Sequence, residues 1–160
     1  MNSNMLLTLA FLIGLIAGLR ALTSVMVASW AARLSWIHLD GSYLSFMGST
    51  ITAVIFSALA LAEIVNDKLP KTPPRTALPS LIIRIVLGAV AAATLTMGGG
   101  GVAWVGALLG AFGAIVGTFG GYQARTQLVR ALHVPDFVIA LLEDAIAVGG
   151  GFFLASRFMA

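Results

Sequence analysis

Apolar stretches long enough to cross a lipid bilayer follow one another along the sequence with few polar residues between them, which leaves room for little but a membrane bundle. A span needs about 20 apolar residues, each rising 1.5 Å, to cross a hydrocarbon core of about 30 Å. That criterion predicts helices at about 5–33, 49–67, 79–97, 102–122 and 137–156 of the 160 residues. Charged residues make up only 9% of the chain, against roughly a quarter in soluble domains. The expected fold is therefore all-α: one polytopic transmembrane bundle over residues 1–160, with about five helices. The first stretch is too long for a single perpendicular span, so it must tilt, protrude or break. Gly14 and Gly18 are its weak points. If it breaks into a re-entrant hairpin, the segments become six and the 34–48 loop changes sides.

The connections carry their own chemistry. Residues 34–48 hold Trp36, His38, Asp40-Gly41 and Tyr43, an aromatic loop suited to the headgroup region. Residues 68–79, KLPKTPPRTALP, contain four prolines and cannot continue a helix. Residues 98–101 are four glycines, a tight link, and His133-Val-Pro-Asp136 breaks and restarts the chain before the last helix. Five spans place the N-terminus, the 68–79 loop and the 123–136 loop on one side, with Lys68, Lys71, Arg75, Arg125 and Arg130. The other side has Arg33 and Arg157. Positive residues favour the cytoplasm, so the N-terminus is expected inside and the C-terminus outside. Met1-Asn-Ser-Asn lacks the basic region of a signal peptide, and the first helix is expected to be retained.

Several function classes drop out. A net charge of +3 arises from few acids and scattered arginines, which is no nucleic-acid-binding surface. Without cysteine, thiolate nucleophiles, iron–sulfur clusters and zinc–thiolate sites are excluded. His38 and His133 lie in separate loops, so no metal or other cofactor is expected. No Ser/His/Asp arrangement, phosphate-binding loop or dinucleotide fingerprint is present, and the chain does not read as an enzyme.

What remains is a set of charges inside the apolar stretches. Arg20 sits in the middle of the first, Glu63 near the end of the second, Arg84 one to two turns into the third, and Glu143-Asp144 about 10 Å into the last. An unpaired charge at the bilayer centre costs about 2.5–3.5 kcal/mol on insertion scales, so each should face protein or water. The expected pairing is Arg20 or Arg84 with Glu63 or Glu143. Arg20, Glu63, Asp67, Arg84, Glu143 and Asp144 are the candidate substrate or ion pathway, while Lys68, Lys71 and Arg75 are candidates for lipid headgroup contact. Such pairs can equally do no more than fix helix register. Gly106, Gly110, Gly113, Gly117 and Gly121 fall on one helical face. Small residues so arranged permit close helix approach, either within the bundle or at a homodimer seam.

Gly18-Leu-Arg20, Ala62-Glu63-x-x-x-Asp67-Lys68-x-Pro70 and Pro74-Arg75-Thr76 together resemble the motifs of a family of small bacterial integral membrane proteins catalogued as a domain of unknown function. The resemblance covers residues of about 10–95 and implies a compact multi-span domain, with Arg20, Glu63, Asp67, Lys68 and Arg75 at signature positions. The residues themselves suggest a small homodimeric transporter or channel-like protein. Its cytoplasm-facing cavity, lined by Arg20, Glu63, Arg84 and Glu143, would take a small solute, ion or lipid headgroup. The alternative is a non-transporting scaffold or lipid-binding subunit assembled through the glycine face.

Overall fold

The computed structural model describes residues 2–68 and 74–159 and contains, among them, six α-helices and no strand. These are α1 (Ser3–Leu19), α2 (Ala21–Arg33), α3 (Thr50–Asn66), α4 (Leu78–Gly98), α5 (Ala103–Leu132) and α6 (Asp136–Ser156), with a short 3-10 turn at Ser45–Gly48. Three of them, α4, α5 and α6, are long and apolar enough to cross a membrane unaided, and α1 and α3 are shorter apolar helices. The architecture is a helical membrane bundle.

The first predicted helix is two helices. Arg20 alone separates them, in an extended conformation (φ −142°, ψ 100°). The chain reverses there. Leu6, near the start of α1, and Ile37, just beyond α2, both reach the glycine turn between α4 and α5, at Gly99–Gly101 and Gly98 respectively. The His38 amide donates to Gly98 O (3.3 Å) at the same end. Val27 of α2 and Ile16 of α1 meet again at Gly151 of α6. The two arms, about 25 and 20 Å long at 1.5 Å per residue, thus form a V whose tip is Arg20. This is the six-segment arrangement. The N-terminus thus lies at the end of the α4–α5 turn, opposite the end of α3 and the start of α4, and not beside them as five spans would have it. Arg20 is accordingly at a hairpin tip and not midway along one helix.

Glycine makes the arms fit. α1 lies most extensively on α5, and α4 on α5 and α1. A Cβ at Gly14 would strike the Gly110 backbone, at Gly113 the Phe11 carbonyl, at Gly117 the Leu15 carbonyl and at Gly110 the Gly88 carbonyl. Gly106 lies against Thr96 and Ala92, and Gly121 against Leu19 and Arg75. The face Gly106–Gly110–Gly113–Gly117–Gly121 is therefore filled by α1 and α4 of the same chain. Of the two readings open for this face, packing within the bundle or a homodimer seam, these contacts are those of packing within the bundle.

α3 is the outlier. Only Ala53 and Ala60 of it are buried, and it rests chiefly on α2, where Trp30 Nε1 donates to Ser57 Oγ (2.9 Å). α5 runs unbroken to Leu132 and ends where His133 turns left-handed (φ 53°).

Substituting Gly113 with Leu should wedge α1 off α5, so the protein aggregates or loses its cooperative melt in detergent. Gly120→Leu, where an added side chain meets nothing within 4 Å, should leave melting and size-exclusion profile unchanged. Equal tolerance of the two would contradict the internal packing of this face.

Candidate functional site

A chain that stops being helical inside a bundle leaves two helix ends without hydrogen-bond partners, and in a membrane no water makes up the loss. Here side chains from α3 and α4 do so. The Glu63 carboxylate accepts from both the Ala21 and Leu22 amides at 2.9 Å, capping the N-terminus of α2. Arg84 Nη1 donates to the carbonyls of Gly18 and Leu19, both at 2.9 Å, capping the C-terminus of α1. Thr118 Oγ1 adds a longer contact to Gly18 O (3.4 Å). An anion at a helix N-terminus and a cation at a C-terminus are each favoured by the macrodipole, by about 0.3–1 kcal/mol at exposed sites and more when buried.

Around this break the charges gather from every segment. Arg20 is fully buried; its Nε donates to Asp144 Oδ1 (2.6 Å) and its Nη2 to Asp67 Oδ2 (2.8 Å). Lys68 Nζ donates to the other Asp144 oxygen (2.6 Å). Arg75 holds Glu143 through both guanidinium termini, Nη2 to Oε2 at 2.7 Å. Arg125 reaches Asp67 (2.9 Å), Asp136 (2.5 Å) and Glu143 (3.4 Å). Arg84 Nη2 stands 3.9 Å from Glu63 Oε1. Five acids (Glu63, Asp67, Asp136, Glu143, Asp144) thus meet five cations (Arg20, Lys68, Arg75, Arg84, Arg125) at one end of the bundle. The balance matters because an unpaired buried charge costs several kcal/mol. Burial alone would push the Asp67 carboxyl up, but the hydrogen bonds and charges of Arg20 and Arg125 outweigh it and hold the group well below the usual carboxylate range.

These positions revise the expected pairs. Arg20 pairs with Asp67 and Asp144, not with Glu63 or Glu143; Arg84 does face Glu63, but Glu143 belongs to Arg75. Lys68 and Arg75, expected at lipid headgroups, are inside the cluster, while Lys71 falls outside the described residues. Arg125 and Asp136 were read from sequence as a loop charge and a helix cap. Their partnership comes from α5 continuing past residue 122, which brings Arg125 over the start of α6.

A cavity of about 310 Å³ opens beside the break, lined by Ala21, Glu63, Asp67, Arg75, Ser80 and Arg84 together with Asn66, Ala77, Pro79 and Ile83. The expected cavity had Arg20 and Glu143 in its wall. Instead Arg20 lies behind Asp67, and Glu143 faces an apolar crevice between α5 and α6. One Arg20 nitrogen, Nη1, and the Thr23 hydroxyl have no hydrogen-bond partner among the described residues. Those residues contain no group of His, Asp and Glu able to hold a metal ion.

Removing the Glu63 carboxylate should expose the break. Glu63→Ala is expected to lower stability by about 1–3 kcal/mol, the cost of buried donors left unpaired. Glu63→Gln, which keeps one acceptor oxygen, should lose less. Thermal melts in detergent check the order; an alanine variant as stable as the glutamine one would contradict the capping role.

No curated protein and no solved structure matches the chain. Residues 7–156 match the family described as Domain of unknown function (DUF4126). That match takes in the hairpin, the capped break and all five acids and five cations of the cluster, and on it the chain belongs to this family.

Proposed function

We propose that this protein is a small membrane transporter whose solute site is the polar cavity beside the Arg20 break. The observation that carries the reading is the break itself. A helical hairpin that turns inside a membrane bundle, its two helix ends capped by opposite charges and bordering a cavity with charged side chains in its wall, resembles the broken helices beside which transporters bind their solutes. A bundle that needed only to hold together would be cheaper with an uninterrupted helix and apolar contacts. The loose attachment of α3 adds a moving part. It carries Glu63, rests chiefly on α2 and borders an open groove at Leu22, Leu59 and Val65, so a swing of α3 would open the cavity and uncap α2 together.

The charged end, with Lys68, Arg75, Arg125 and Arg130, fits the cytoplasmic side of a bacterial inner membrane. With the chain reversing at Arg20, both termini then face outward. The protein is not an enzyme in this reading and needs no cofactor; its partners are lipids and a small solute. A scaffold or lipid-binding subunit built on the glycine face of α5 is less well supported, because α1 and α4 occupy that face.

Purified protein in liposomes tests this with a panel of labelled small carboxylates, amines, amino acids and phosphate. At least one should enter above protein-free vesicles. Ile83→Trp, which fills part of the cavity mouth, should reduce that flux several-fold while leaving the thermal melt in place. No flux for any solute, or flux indifferent to Ile83→Trp, would contradict the proposal.

A further inference from the structure

The cavity wall is chemically two-ended, and this bears on what it holds. On one side stands Arg84, 6% exposed. Its Nη1 is taken by the Gly18 and Leu19 carbonyls and its Nε by Ser80 Oγ at 3.3 Å. Its Nη2 makes no hydrogen bond among the described residues, the nearest carboxylate oxygen being Glu63 Oε1 at 3.9 Å. Next to it is the start of α4, whose N-cap, Ala77, supplies no side-chain acceptor. Ala77, Pro79 and Ser80 of that first turn line the same cavity. Ser80 accepts from Arg84, so its hydroxyl proton is left to donate. A free guanidinium nitrogen, a hydroxyl and an uncapped helix N-terminus in one wall suit a carboxylate.

The other side is acidic. Asp67 lines the cavity, and its Oδ2 accepts from both Arg20 and Arg125. No described residue donates to its Oδ1, the oxygen we assign to a cationic donor of the solute. The Glu63 oxygens are both held by the α2 amides. Among the described residues the charged groups in the wall are Glu63, Asp67, Arg75 and Arg84, two acids and two cations. A simple anion or cation entering would leave a net charge in a partly desolvated space. A solute that carries both signs would not. The volume, about 310 Å³, equals the share of about ten water molecules at roughly 30 Å³ each, enough for a molecule of amino-acid size.

We infer that the cavity binds a small zwitterion of the α-amino-acid class, its carboxylate at Arg84 Nη2, Ser80 Oγ and the first turn of α4, and its ammonium at Asp67. This names the substrate class of the site proposed above and rests on that reading for its location.

Binding to the full chain in detergent, measured by calorimetry with each of the twenty protein amino acids singly, tests it without requiring transport. At least one should bind. Its deaminated acid and its decarboxylated amine, which each keep one end, should bind about ten-fold or more weakly, the scale of a lost charge-assisted hydrogen bond. Ser80→Ala and Asp67→Asn should each weaken the amino acid several-fold. Ser80→Ala removes no charge and only one long hydrogen bond from Arg84 Nε (3.3 Å). It should weaken binding with a smaller drop in the melt than Asp67→Asn, and a melt above the assay temperature keeps it informative even if Asp67→Asn folds poorly. No binding by any amino acid, or equal binding by the deaminated acid, overturns the zwitterion site. Binding with no vesicle flux would keep the site and remove the transporter, whereas flux without amino-acid binding would do the reverse.

Discussion

Everything at the charged end of this bundle depends on two unpaired helix ends. In a membrane, backbone groups that leave a helix must find partners within the protein. At Arg20 they find Glu63 on one side and Arg84 on the other. Those two caps sit on α3 and α4, so the turn exists only when α3 and α4 are in place, and the hairpin in turn gives both helices something to grip. Arg20 cannot turn outward either: it is fully buried, and its guanidinium ties the end of α3 to α6 through Asp67 and Asp144. One extended residue thus commits five helices to a common position.

The glycine face of α5 follows from the same geometry. A hairpin inserted between α4, α5 and α6 needs space near its tip, where both arms converge. Gly14 and Gly18 of α1 provide it by touching the backbone of α5 around Gly110 and Ala114–Thr118. Close backbone approach also strengthens dispersion contacts, which drive helix association where no hydrophobic effect operates between helices. The glycines therefore serve the interior of one chain, and the charged cluster is held at the end of the tightest part of the bundle.

Much of this is legible in the residues. The apolar runs identify the long helices, the glycine spacing identifies a packing face, and the proline-rich segment falls where α3 ends and α4 begins, although Leu78 and Pro79 already belong to α4. The positions of Glu63, Arg84, Glu143 and Asp144 inside apolar helices already point to a buried charged site. The turn at Arg20 is harder to read. No proline marks it, and Gly14 and Gly18, the local candidates for a break, are both helical. The groups that stabilise the break lie some forty to sixty residues further along the chain, so its cause is tertiary. The same holds for Arg20's partners. Depth arithmetic on a straight helix puts Arg20 in mid-membrane, deeper than Glu63, whereas the hairpin brings it to Asp67 and Asp144. The span criterion ends the helix from residue 102 near 122 and allows it to continue through Gln123 to Leu132; what the residues do not show is that this extension carries Arg125 over the start of α6.

The central claim is that the chain turns back at Arg20, so that its N-terminus and the 133–135 turn lie at opposite ends of the bundle. Because the chain has no cysteine, single cysteines placed at Asn4 and at His133 can be labelled from either side of intact vesicles with a membrane-impermeant maleimide. The hairpin predicts labelling from opposite sides, with Gly100→Cys reacting on the side of Asn4→Cys. If Asn4 and His133 react from the same side, the first segment crosses the membrane once and the account fails.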